Sequence, residues 1–147
     1  MNKFSMLFSR VGEGIKNAIV SIFAGSILST VIIYLYGLKE VIEAYDASTL
    51  IFLAMFFLFF AVPAIVPYFV AGVIAEVFKL PSWGVIILTI LTLFYHHYIS
   101  IRYGFTSPTD IRTEQNYILF FIRYIPIFSV FLFVSLYGRR TRQQPAG

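Results

Sequence analysis

Residues 50–79 read LIFLAMFFLFFAVPAIVPYFVAGVIAEVFK, and no charged side chain occurs between Leu50 and Ala75. As a helix those 26 residues reach about 39 Å, more than the roughly 30 Å of bilayer hydrocarbon. The stretch therefore reads as a transmembrane helix. Pro63 and Pro67 lie in its middle, and Glu76 and Lys79 at its end. It thus raises two questions: whether the span is kinked or broken, and whether its polar end does chemistry.

Composition extends this reading to the whole chain of 147 residues, which is 59% hydrophobic and 12% charged, about half the usual charged fraction. A domain of this size folded in water has too large a surface to hide so much apolar area, and lipid is the natural sink. The absence of cysteine excludes disulfides, cysteine-ligated metal sites and thiol chemistry. The net charge of +4 reports membrane orientation before it reports a partner, so no nucleic-acid binding is inferred from it.

Working outward from the opening stretch, residues 18–37 form an uncharged run that spans as an uncleaved anchor. Residues 1–17 precede it with Phe4, Leu7, Phe8, Val11 and Ile15 at helical spacing and a basic polar face, the pattern of a short amphipathic helix on a membrane surface or a partner. Gly12 and Gly14 weaken that helix. Residues 38–49 continue the first span as an acidic amphipathic extension. After the second span, 50–78, Pro81 stops the helix, and residues 83–101 make a third span. A polar connection follows, in which Ser107-Pro108-Thr109-Asp110 resembles a helix start. Residues 117–138 form the fourth span, and 139–147 a basic disordered tail.

The predicted fold is all-α, one polytopic membrane domain with four transmembrane helices in an antiparallel bundle. Lys3, Arg10, Lys16, Lys79, Arg139, Arg140 and Arg142 fall on the side of the termini, against Lys39, Arg102 and Arg112 on the other, so both termini are expected in the cytoplasm. Tyr34, Tyr36, Tyr98, Tyr103 and Tyr117 mark the outer boundary, and Trp83 and Tyr137 the inner.

Few residues are candidates for function. Arg123 lies about 9 Å along the helix from Tyr117, deep enough to need snorkelling, an ion pair or a transported substrate. His96 and His97 point about 100° apart on a helix, so one metal or haem cannot take both; they read as interfacial polar residues or as a proton-sensitive outer vestibule, grouped with Arg102 and Arg123 in a cationic level near the outer face. Glu76 reads as an interfacial carboxylate three residues from Lys79. Pro63 and Pro67 read as a kink, with a broken transporter-type helix as the alternative. Ser21, Gly25 and Ser29 repeat every four residues, a small-residue stripe for packing within the chain or for self-association.

The segment Pro63 to Trp83, PAIVPYFVAGVIAEVFKLPSW, resembles part of uncharacterised small four-span inner-membrane proteins of proteobacteria. The resemblance implies a four-span bacterial inner-membrane topology and no activity. The chain carries no G-x-x-x-x-G-K-[ST], H-E-x-x-H or G-x-S-x-G motif, and no cofactor is expected. The reading that follows is a non-enzymatic membrane subunit or interaction protein, whose partners are the bilayer and other membrane subunits or further copies of itself. The alternative is a small oligomeric transporter or channel with a cationic outer vestibule.

Overall fold

The structure, a computed structural model, describes residues 2–37, 46–105 and 114–143. Among them there are only helices and turns: α1 (Lys3–Tyr36), α2 (Ala47–Phe60), a 3-10 turn (Val62–Ala64), α3 (Ile65–Val77), α4 (Ser82–Arg102) and α5 (Glu114–Gln143). Four helical segments are long and apolar enough to cross a membrane: Lys3–Tyr36, Ala47–Val77, Ser82–Arg102 and Phe121–Arg140.

The first segment differs from the sequence reading at both ends. Residues 3–17 and the first span are one helix of 34 residues, roughly 51 Å long, and neither Gly12 nor Gly14 interrupts it. The Asn2 side chain caps its start by accepting from the Phe4 N–H. Its end is fixed by Gly37 in the left-handed conformation (φ 62°), whose N–H bonds to the Ile33 carbonyl. α1 therefore stops at Tyr36, and residues 38–45 of the expected acidic extension lie outside the described residues. Asp46 begins the next helix, accepting from the Thr49 N–H at 2.8 Å.

In the second span the prolines do more than kink it. Pro63 has no N–H for the Phe59 carbonyl, and the chain tightens at this point into the 3-10 turn, with the Ala64 N–H bonded to the Ala61 carbonyl. Pro67 falls in the first turn of α3, where an N–H would have no helical partner in any case. The break turns Pro63, Ala64 and Tyr68 into the core. At the other end of α3, Lys79 adopts a left-handed conformation (φ 50°) and the Leu80 N–H reaches back to the Ala75 carbonyl. The last helix runs on to Gln143, so the basic tail is helical through that residue; the expected start near Pro108 lies outside the described residues.

Packing centres on α1, which lies against α3 and α5 and more lightly against α2, while α4 packs on α5 and α3. Small residues make this possible. Gly14 and Gly72 bring the backbones of α1 and α3 into contact, so a Cβ on either would overlap the other. Gly25 does the same against α5, where its Cβ would lie 2.6 Å from the Ile127 Cα. The core holds apolar clusters around Tyr68, Ile127 and Phe131 and around Ile33, Leu53 and Phe57, but α1 and α4 also bury polar residues while exposing apolar ones. The buried face of α1 carries Asn17, Ser21, Ser26, Ser29 and Thr30, whereas Phe23, Ile27, Leu28 and Val31 are exposed. Likewise α4 buries Thr89, Thr92, His96 and Ser100 and exposes Ile87, Leu91, Phe94 and Tyr98.

Candidate functional site

The buried stripe of α4 is built by spacings of three and four residues from Val85 through Thr89, Thr92 and His96 to Ser100. Three of its hydroxyls satisfy themselves locally, since Thr89, Thr92 and Ser100 donate to the carbonyls of Val85, Leu88 and His96 four residues back. His96 has no such option. It is 1% exposed, and neither ring nitrogen finds a hydrogen-bond partner among the described residues. The Tyr68 hydroxyl of α3, also fully buried, is in the same condition.

These groups share one aromatic cluster. The Tyr68 ring meets the His96 ring edge-on at 5.9 Å and Phe131 at 5.2 Å, and the Tyr124 ring of α5 lies 4.7 Å from His96. His97 touches the other side of the same tyrosine, with Nδ1 3.2 Å from the Tyr124 hydroxyl. The two histidines thus flank Tyr124, one in the core and one half-buried at the α4–α5 seam. Buried donors and acceptors without a partner are costly, so the His96 ring nitrogens and the Tyr68 hydroxyl are the polar groups of this interior that the described residues leave unsatisfied. Among the described residues no group of three or more His, Cys, Asp or Glu side chains is arranged to hold a metal ion.

The cationic level expected from the sequence is dispersed. His96 faces α3 and α5 in the core, Arg102 is exposed at the end of α4, and Arg123 turns toward α2, its guanidinium 4.1 Å from the Phe60 ring centre and 5.7 Å from that of Phe56. Glu76, at the end of α3, is buried and does not pair with Lys79 among the described residues. It is 5% exposed and faces α1, where Asn17 Nδ2 donates to its Oε1 at 3.5 Å.

The Ser21, Gly25 and Ser29 stripe is buried within the chain, with Gly25 and Ser29 against α5. Sequence reasoning missed Tyr68, Tyr124, Asn17 and the α4 hydroxyls. The spacing of Thr89, Thr92, His96 and Ser100 was the available signal for the last; the pairing of Tyr68 with His96 leaves none.

An apolar exterior, small and polar residues at the helix seams and four helical segments long and apolar enough to span a bilayer are the features of a polytopic α-helical membrane protein. Comparison with protein-family models, with curated proteins and with solved structures gives no match.

Proposed function

We propose that the chain is a non-enzymatic subunit or interaction protein of a larger assembly in a bacterial inner membrane, an antiparallel four-helix bundle with both termini in the cytoplasm. The observation that carries this is the closure of the α1 seams. At Gly14–Gly72 and at Gly25–Ile127 the backbones leave no room for a side chain, and so none for a hydrated solute. With α1 closed against α3 and α5 at these two points, function is assigned to the exterior. That exterior includes an apolar groove of about 330 Å³ where the 3-10 turn departs from α1, lined by Phe23, Leu58, Val62 and Phe69, of a size to seat side chains of a neighbouring helix. The distribution of basic residues supports the orientation, and the resemblance of residues 63–83 supports the inner membrane.

A second reading, a small oligomeric transporter, is favoured by one observation: the buried His96 ring nitrogens and Tyr68 hydroxyl, which find no hydrogen-bond partner among the described residues. Chemical crosslinking in native membranes, followed by native mass measurement in detergent, separates the two. Unrelated subunits at fixed stoichiometry support the subunit reading. A defined homo-oligomer containing only this chain that conducts ions in liposomes contradicts it.

A further inference from the structure

A second cavity, of about 440 Å³, opens at the end of the molecule where α1 begins and α5 ends. Its walls carry Arg10 of α1, Lys79 of the α3–α4 turn, and Arg139 and Arg140 of α5, against the single carboxylate of Glu76. The positive-inside rule accounts for basic residues at this end. It does not account for their convergence from three parts of the chain onto one concave surface.

Three features make that surface a receptor for anions. Among the described residues no carboxylate pairs with Arg10, Lys79 or Arg140, so four cations face the one carboxylate of Glu76, and Glu13 is paired with Lys16. Arg139 is positioned by donating to the Ala75 carbonyl at 2.6 Å, which anchors one wall to the end of α3. Pro81 and Ser82 also line the cavity, which brings it to the start of α4, where no side chain caps the first amides and the helix presents its positive end. The volume is within the roughly 300–1,000 Å³ typical of small-molecule sites. Trp83 and Tyr137, both exposed, set the height of this end at the membrane interface, where lipid phosphates lie.

We propose that this cavity binds a phosphate-bearing anion, with the headgroup of an anionic phospholipid as the ligand that its position fits. The site is independent of the subunit and transporter readings. The test uses the full chain in detergent, with native mass spectrometry to measure retention of phosphatidylglycerol against phosphatidylcholine. The native chain retains phosphatidylglycerol preferentially. Lys79→Gln with Arg140→Gln weakens that retention about 25-fold, the loss expected from two membrane-surface cations at roughly five-fold each, while Arg102→Gln at the opposite end leaves it unchanged. Equal retention of the two lipids by the native chain, or undiminished retention by the double variant, overturns the proposal. Competition with inorganic phosphate on the native chain identifies the source and stands even if the double variant fails to fold. Displacement supports a phosphate site open to soluble ligands, and preferential lipid retention that resists phosphate supports a headgroup site.

Discussion

The Ser29 hydroxyl of α1 donates to the Ile122 carbonyl of α5 at 2.6 Å, and Ile122 is the residue whose helical partner Pro126 removes. A proline in the middle of α5 thus leaves a carbonyl free in the membrane interior, and the neighbouring helix satisfies it. The same hydroxyl also lies 2.9 Å from its own Gly25 carbonyl, so its single hydrogen favours the shorter contact across the seam. Ser29→Ala should destabilise the protein by about 1–2 kcal/mol, whereas Ser21→Ala, which loses only a bond to the Asn17 carbonyl of its own helix, should change stability by under about 0.5 kcal/mol. Adding Pro126→Ala to Ser29→Ala supplies an N–H to Ile122 and should recover part of the loss. Denaturant unfolding in mixed micelles measures all three.

The glycines of α1 should respond in opposite directions. Gly14→Ala drives a Cβ into the Gly72 backbone and should cost about 1–3 kcal/mol. Gly12→Ala meets nothing within 4 Å and gains helix propensity, up to about 1 kcal/mol. Thermal unfolding of the two variants under one set of conditions gives the comparison.

At the aromatic cluster, apolar replacements should stabilise. Tyr68→Phe and His96→Leu each remove buried polar atoms that have no partner among the described residues, and each should raise the unfolding free energy by roughly 1 kcal/mol. A loss of 1 kcal/mol or more in the same melts would show that those atoms are occupied in the working protein, which is the transporter reading's requirement.

Arg123 and Phe60 should be energetically coupled. A double-mutant cycle with Arg123→Met and Phe60→Leu, read by chemical unfolding, should give a coupling of about 0.5–2 kcal/mol. Additivity within about 0.3 kcal/mol would mean that the ring contact contributes nothing.

Asp46 supplies a pH dependence at the opposite end from the basic cavity. Hydrogen bonding from the Thr49 backbone N–H holds its carboxyl below the ordinary 3.8. Because the folded value is depressed, its contribution is complete above the ordinary value and fades as pH falls below it. Asp46→Asn keeps a capping oxygen but removes this dependence, so melts at pH 7 and pH 3 should converge for that variant relative to the native chain.

Much of the fold was legible because a span is a local property: a run of apolar residues from Leu50 to Ala75 announces itself without reference to the rest of the chain. The small-residue stripe was legible for the same reason. The continuity of α1 was not, because the intrinsic penalty of Gly14 points to a weak helix while its benefit, contact with Gly72, depends on a residue 58 positions away. Glu76 was misjudged in the same way: proximity in sequence suggested Lys79, and the fold supplies Asn17. His96 and His97 look equivalent in sequence, yet a 100° turn sends one into the core and the other to the seam. Charge counting identified which cations share an end of the molecule, but their convergence on one cavity required the tertiary structure.

Ion and proton flux through liposomes holding the purified chain as its sole protein tests the closed protomer most directly. The packing at Gly14–Gly72 and Gly25–Ile127 predicts flux no greater than in empty liposomes, with or without His96→Leu. Saturable flux that His96→Leu abolishes would contradict the subunit reading and identify the Tyr68–His96–Tyr124 cluster as part of a transport path.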